Sequence, residues 1–375
     1  MCSLAGQLNE DIRAPARASR ATANQVCSAS KNRIRKAHAD AAPHVKHRRQ
    51  KRAPALSFIV LLIVSACAHT SKAQTHSTAT PTTDARASFE GERAFQHVRK
   101  LVEFGPRPAG SDALKRARSY IVGELKSYGL KVSADEFKAK TPAGERRMTN
   151  VSAEIKGTSD DFIVIASHYD TKLYKEFRFV GANDGGSSTG ALLELARVLA
   201  NAPRGPIGYR FVFFDGEEAT CAEWDECGKE DSPDNTYGSR RYVAALRERG
   251  ELKRLRALVL LDMMGYDKLA LGRDTMSTPW LVDLVWKTAA ESGHGREFLE
   301  RAEDVGGDDH APFLAAGVPS LDIIQLNTYP FWHRPEDTLD KVSARSLQAV
   351  GEVLLASLPR IEAKLKDSAA VRGQK

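Results

Sequence analysis

A chain of 375 residues, 42% hydrophobic and 27% charged, is long enough for one large domain or two ordinary ones with a sizeable core. This composition excludes a collagen, a coiled coil, a wholly disordered chain and a multi-span membrane protein. The formal charge of +7 sits in residues 1–66, where twelve Lys or Arg stand against three acids; residues 67–375 carry −2, and a nucleic-acid role loses its support.

The basic run Lys46–Arg52 is followed by the apolar stretch Ala53–Ala66 and then Cys67. These are the parts of a secretory signal, and the stretch is short of the roughly 20 residues a bilayer span needs. Val64-Ser-Ala-Cys67 has the form of a bacterial lipobox, so Cys67 is expected to be acylated and to become the mature N-terminus. The expectation is a leader over 1–66, export, and a periplasmic or cell-envelope lipoprotein whose membrane contact is the anchor at Cys67. No methionine lies between Met1 and Met148, which makes Val45 an alternative start. The Ser/Thr/Ala-rich stretch that follows reads as a tether over 67–86. With Cys2 and Cys27 in the leader and Cys67 assigned, Cys221 and Cys227 remain; a short-loop disulfide is expected, with free thiols or a soft-metal site as the alternatives.

From Phe89 onward helix-like and strand-like segments alternate. Glu92–Val102 and Asp112–Tyr128 have helical periodicity, and Gly129 closes the second. Phe162–Ala166 is a continuous apolar run, Gly190–Leu199 is helical, and Tyr209–Phe214, Leu258–Leu261 and Val318–Ile324 are apolar runs again. Ala344–Leu365 reads as a closing helix. Strands apolar on both faces and spaced by helices predict a single α/β domain over 87–367: a mixed, mostly parallel central β-sheet flanked by helices on both faces. Residues 368–375 are left as a C-terminal tail.

In open α/β sheets, sites form beyond the carboxyl ends of strands. The predicted strands run into Ser167-His168-Tyr169-Asp170, Asp215-Gly-Glu217-Glu218, Asp262 and, further on, Trp332-His333. Gly181-Ala-Asn-Asp184 precedes a helix, and Asp308-Asp-His310 precedes another apolar stretch. Taken singly each is as ordinary as a helix cap or a structural histidine; their shared location is what carries weight. His168, Asp184, Glu218, Asp262 and His333 are residue types suited to zinc and could supply one ion or two. Glu217 and Glu218 are adjacent, so one can bind metal while the other serves as acid or base. Asp170, two residues past His168, is placed to orient that imidazole.

The motif order resembles the zinc-dependent aminopeptidase superfamily, in its glutaminyl-peptide cyclotransferase (glutaminyl cyclase) branch. The strings are Phe104-Gly-Pro-Arg-Pro-Ala-Gly-Ser111, His168-x-Asp170, Gly181-Ala-Asn-Asp184, Phe213-Phe-Asp-Gly-Glu-Glu218, Tyr237-Gly-Ser-Arg240, Leu261-Asp262, Asp308-Asp-His-Ala-Pro-Phe-Leu314 and Trp332-His333. The resemblance implies Asp184, Glu218 and His333 as ligands of one zinc, with Glu217 as general acid/base supported by Asp262 and Asp308. It implies substrate contacts at Trp332 and, by a looser match, Trp224. The peptidase branch would add a second zinc on His168 and Asp262 with Asp184 bridging. Gly306-Gly307 departs from the cyclase pattern, and Asp262-Met-Met-Gly265-Tyr266 is more similar to the peptidase branch. The implied activity is cyclisation of N-terminal glutamine in peptides or proteins to pyroglutamate with loss of ammonia; the alternative is an aminopeptidase with two zinc ions. A catalytically dead binding module is the third reading, disfavoured because each ligand position holds a competent residue.

Overall fold

The computed structural model describes residues 88–229 and 232–372. The leader, the Cys67 anchor, the tether and the last three residues lie outside the described residues. Two helices come first, α1 (Gly91–Glu103) and α2 (Asp112–Ser127). Ser111 caps α2 by accepting from the Leu114 N–H, as a helix N-terminus requires. Strands β1 (Lys131–Thr141) and β2 (Gly144–Ile155) follow, then β3 (Phe162–His168), α3 (Gly186–Ala200) and β4 (Gly208–Phe214). Next are α4 (Tyr237–Glu248), β5 (Leu255–Leu261), β6 (Leu271–Asp274), α5 (Pro279–Glu291) and β7 (Phe298–Glu303). The short α6 (Ala311–Ala315), β8 (Ser320–Ile323) and α7 (Ala344–Arg372) complete the order.

The central sheet has six strands in the order β1-β2-β4-β3-β5-β8. β3, β4, β5 and β8 are mutually parallel, and the β1–β2 hairpin joins β4 antiparallel. Side chains divide by the period of two expected of strands. Ile163, Ile165, Phe211, Phe213, Ala257, Val259 and Leu261 face the core shared with α1, α2, α3, α5 and α7. Phe162, Val164, Ala166, Val212, Phe214, Leu258 and Leu260 face the opposite core, with Tyr242, Val243 and Leu246 of α4 and Phe313 of α6. Helices thus cover both faces, which is why the strands read as unbroken apolar runs.

Some boundaries differ from expectation. The β1–β2 hairpin, α4 and the parallel pair β6–β7 carry too many charges or too few apolar repeats to stand out in sequence; α5 is not among the expected elements although Leu281, Val282, Val285, Trp286 and Ala289 form its buried face. α3 starts at Gly186, four residues early, because Ser187, Ser188 and Thr189 are buried among hydroxyl and carbonyl partners rather than left in a loop. α7 runs to Arg372, past the expected end at Leu365 and into the expected tail, since Lys366–Arg372 holds no Gly or Pro to stop it.

Candidate active site

β3 ends at His168, β4 leads into Asp215–Glu218, and β5 leads into Asp262, so three parallel strands deliver polar residues to one edge. The loop before α3 brings Asp184, and the stretch between β8 and α7 brings His333. Two trios result, each with ligand atoms mutually within 4.8 Å: Asp184, Glu218 and His333, and His168, Asp184 and Asp262. Asp184 belongs to both. His333 Nε2 lies 3.2 Å from Glu218 Oε2 and 3.6 Å from Asp184 Oδ2. His168 Nε2 lies 3.1 Å from Asp262 Oδ1 and 3.3 Å from Asp184 Oδ1. His333 sits at φ 55°, a left-handed conformation that a non-glycine residue holds only when its surroundings require it. Gly185, also at positive φ, lies where an added Cβ would come within 2.9 Å of the His168 ring, so the loop can close on that imidazole.

All these side chains are buried or nearly so. Among the described residues Asp184 Oδ2 and His168 Nδ1 have no hydrogen-bond partner. Three carboxylates held this close in a dry site repel one another, and an unpartnered buried carboxylate oxygen costs free energy unless it meets a cation. Mixed imidazole and carboxylate donors suit zinc. The residues therefore fit a divalent ion, and the shared Asp184 gives room for a second.

Glu217 is buried, with Oε2 3.7 Å from His168 Nδ1. Burial, then the neighbouring Glu218, Asp308 and Asp309, push its carboxyl well above the usual range, against the pull of His168. Glu218 goes the other way: burial would raise it, but His333 holds it low. The adjacent pair is thus pushed in opposite directions, Glu217 up and Glu218 down.

Asp170 does not hold the His168 imidazole by a hydrogen bond. Its Oδ1 is 3.6 Å from Nδ1, and its oxygens accept instead from the backbone N–H groups of Glu217 (3.2 Å) and Glu218 (3.4 Å). The carboxylate thus stays beside the imidazole, as the spacing of two suggests, but its hydrogen bonds go to the backbone. Asp262 likewise bonds His168 rather than Glu217. Asp308 is buried near Glu217; burial and then the Asp262 charge raise its carboxyl to about 6.

A sequence profile of peptidase family M28 matches residues 150–358. The chain belongs to that family. The glutaminyl cyclase of an Acidobacteriales bacterium is 35% identical, with 78% of this chain and all of that one covered at a TM-score of 0.69. A leucine aminopeptidase precursor from Bacteroides thetaiotaomicron is 28% identical over 73% and 98% of the two chains, TM-score 0.67. Glutaminyl-peptide cyclotransferase of Drosophila melanogaster is 28% identical over 272 residues, 64% of this chain and 73% of that one.

Around this M28 site, Trp332 stacks on the His333 ring at 4.3 Å between centroids and is 39% exposed, so it stands at the mouth rather than deep in the cleft. Tyr174 and Phe179 meet the same imidazole edge-on, each at 5.9 Å. Trp224 lines a cleft of about 850 Å³ with Gly306, Gly307 and Asp308, and its carbonyl accepts from Asn235. Cys221 and Cys227 form a disulfide, which removes the soft-metal alternative. Buried Lys172 ties that loop to the site, donating to the Ala219 and Cys221 carbonyls while its own backbone N–H donates to Glu218.

Sequence reasoning missed a second buried group behind Asp308. His310 lies between Asp274 (3.3 Å) and Asp322 (3.6 Å), with Asp309 beside it. The Asp308-Asp-His310 string was the available signal; Asp274 and Asp322 gave none.

Proposed function

We propose that this M28 chain is a zinc-dependent glutaminyl-peptide cyclotransferase acting on the N-terminal glutamine of peptides or proteins. The observation that carries the reading is the trio Asp184, Glu218 and His333 with buried Glu217 next to Glu218 in the chain. The full-length similarity to a glutaminyl cyclase at 35% identity supports it. Zinc bound by the trio would polarise the γ-carbonyl of the glutamine.

Glu217 takes a proton from the attacking α-amine and returns one to the side-chain nitrogen that departs as ammonia. Burial raises that carboxyl and so strengthens it as a proton acceptor. Asp170 fixes the backbone of Glu217 and Glu218, so the proton carrier and the metal ligand keep their spacing. Trp332, stacked on the His333 ring, would wall in the substrate side chain. No external nucleophile is needed, and holding amine and carbonyl in contact supplies much of the rate.

The His168, Asp184 and Asp262 trio favours a second reading, an aminopeptidase in which Glu217 draws a proton from an attacking water. One experiment separates the two. The purified chain is assayed on a glutaminyl peptide and a leucyl peptide, and zinc is counted on the same sample. Ammonia release from the first with one zinc per chain is the expected result. Free leucine with two zinc ions per chain would replace the cyclase by the peptidase. Export and acylation at Cys67 belong to the same proposal; intact mass of the mature protein from a bacterial host tests them, and an unmodified Cys67 would remove the anchor.

A further inference from the structure

The loop that carries Asp184 is gripped by two buried side chains of opposite charge that belong to neither trio. Arg107 has no solvent exposure. Its guanidinium donates from Nε to the Tyr169 carbonyl (3.3 Å), from Nη1 to Leu101 (3.2 Å), Gly105 (3.3 Å) and Val180 (2.8 Å), and from Nη2 to Gly181 (3.1 Å). Tyr169 directly follows His168, and Val180–Gly181 opens the Asp184 loop. One planar group therefore spans both ligand-bearing segments. Backbone contacts reinforce it: the Arg107 N–H donates to Thr171 Oγ1 (2.8 Å) and the Thr171 N–H to the Arg107 carbonyl (3.1 Å).

Asp337, also without exposure, holds the other polarity of the same loop. Its Oδ1 accepts from the Asn183 N–H (2.8 Å) and its Oδ2 from the Asp184 N–H (3.1 Å). Its own carbonyl accepts from Ala182, and Tyr329 Oη donates to Oδ1 at 2.6 Å. Carbonyls on one side of the loop meet the guanidinium, and N–H groups on the other meet the carboxyl oxygens of Asp337.

The geometry points to Arg107 and Asp337 as positioning residues that preset the side chains of His168 and Asp184 for the cation before it arrives. A buried charge is costly unless every donor or acceptor is used. Here those bonds are spent on the two segments whose spacing decides whether Asp184 can serve both trios. A loop held from both polarities gives up little freedom when an ion binds.

The inference rests on the reading that Asp184, Glu218 and His333 bind zinc, and the test keeps the two apart. Zinc affinity is measured by chelator competition on the full chain, on Arg107→Lys and on Asp337→Asn, with thermal melts of the zinc-free proteins alongside. Lysine keeps the charge but cannot bridge both segments, and asparagine presents one acceptor where two are used. The expected result is zinc affinity lowered about tenfold or more in each variant, as for other groups that orient metal ligands. A purely structural role would lower the melting temperature and leave the affinity of the folded protein unchanged; that result overturns the inference. So does loss of a cooperative melt in both variants, which would make them general fold residues. Failure of the unsubstituted chain to retain zinc would instead sink the metal reading.

Discussion

Acid stability tests the packing between the first two helices. His97 of α1 is buried against α2, with Nδ1 2.6 Å from Tyr120 Oη and Nε2 3.3 Å from Tyr128 Oη. Burial, helped by the charges of Arg93 and Arg197, lowers its pKa from 6.5 to about 4. In the unfolded chain the same imidazole returns to its ordinary range. Between these limits the unfolded state binds a proton that the folded state refuses, so stability rises with pH across the window and is lost as pH falls. From pH 7.5 to 4.5 that linkage amounts to roughly 2.5 kcal/mol. Buried carboxylates add their own pH dependence, so the quantity to measure is a difference of differences. Urea unfolding at both pH values is compared for the native chain and His97→Gln, which keeps polar contact with the tyrosines but does not titrate. The substitution should remove about that amount from the acid loss. Equal losses in the two proteins, or an imidazole NMR titration of His97 near its ordinary value, would refute the reasoning.

Two further predictions concern the site. Glu217→Gln should lower turnover by at least ~10² while leaving bound zinc in place, since the amide cannot carry the proton; near-normal turnover measured on zinc-loaded protein would remove its role. Cys221→Ser should lower stability by about 2 kcal/mol, the loop-closure value for a short crosslink, and dithiothreitol should lower the native chain's melting temperature by the same mechanism. A variant that melts with the native protein would show that Lys172 and Asp234, which already pin the loop through Cys221, suffice without the crosslink.

The parts of this molecule legible in sequence are those whose signal is local. Phe162–Ala166, Tyr209–Phe214 and Leu258–Leu261 read as buried strands because each is apolar on both faces, and the structure packs both faces. Four residues of the two trios stood out because His168, Glu218 and Asp262 end or follow strands and Asp184 precedes a helix, whereas His333 lies well past β8 and stood out through its motif. The β1–β2 hairpin was not: Lys131–Thr141 mixes charge and apolar residues on a strand whose outer side has no partner, so neither alternation nor a solid apolar run appears. Asp170 illustrates a second limit. Spacing of two suggested a shared side with His168, and the carboxylate stays beside that ring, but its hydrogen bonds go to the Glu217 and Glu218 amides. Asp337 is a third case, since it matters through a loop more than 150 residues away in the chain.

The outermost strand has a consequence beyond the catalytic edge. Among the described residues β1 leaves one side of its backbone unpaired, the arrangement through which sheets recruit neighbours and grow into fibrils. Lys131, Lys138 and Lys140 are exposed along it. A second copy approaching in register would bring like charges face to face before any amide could bond. The lysines that hid this strand from a reading of the sequence also make it a poor template for aggregation.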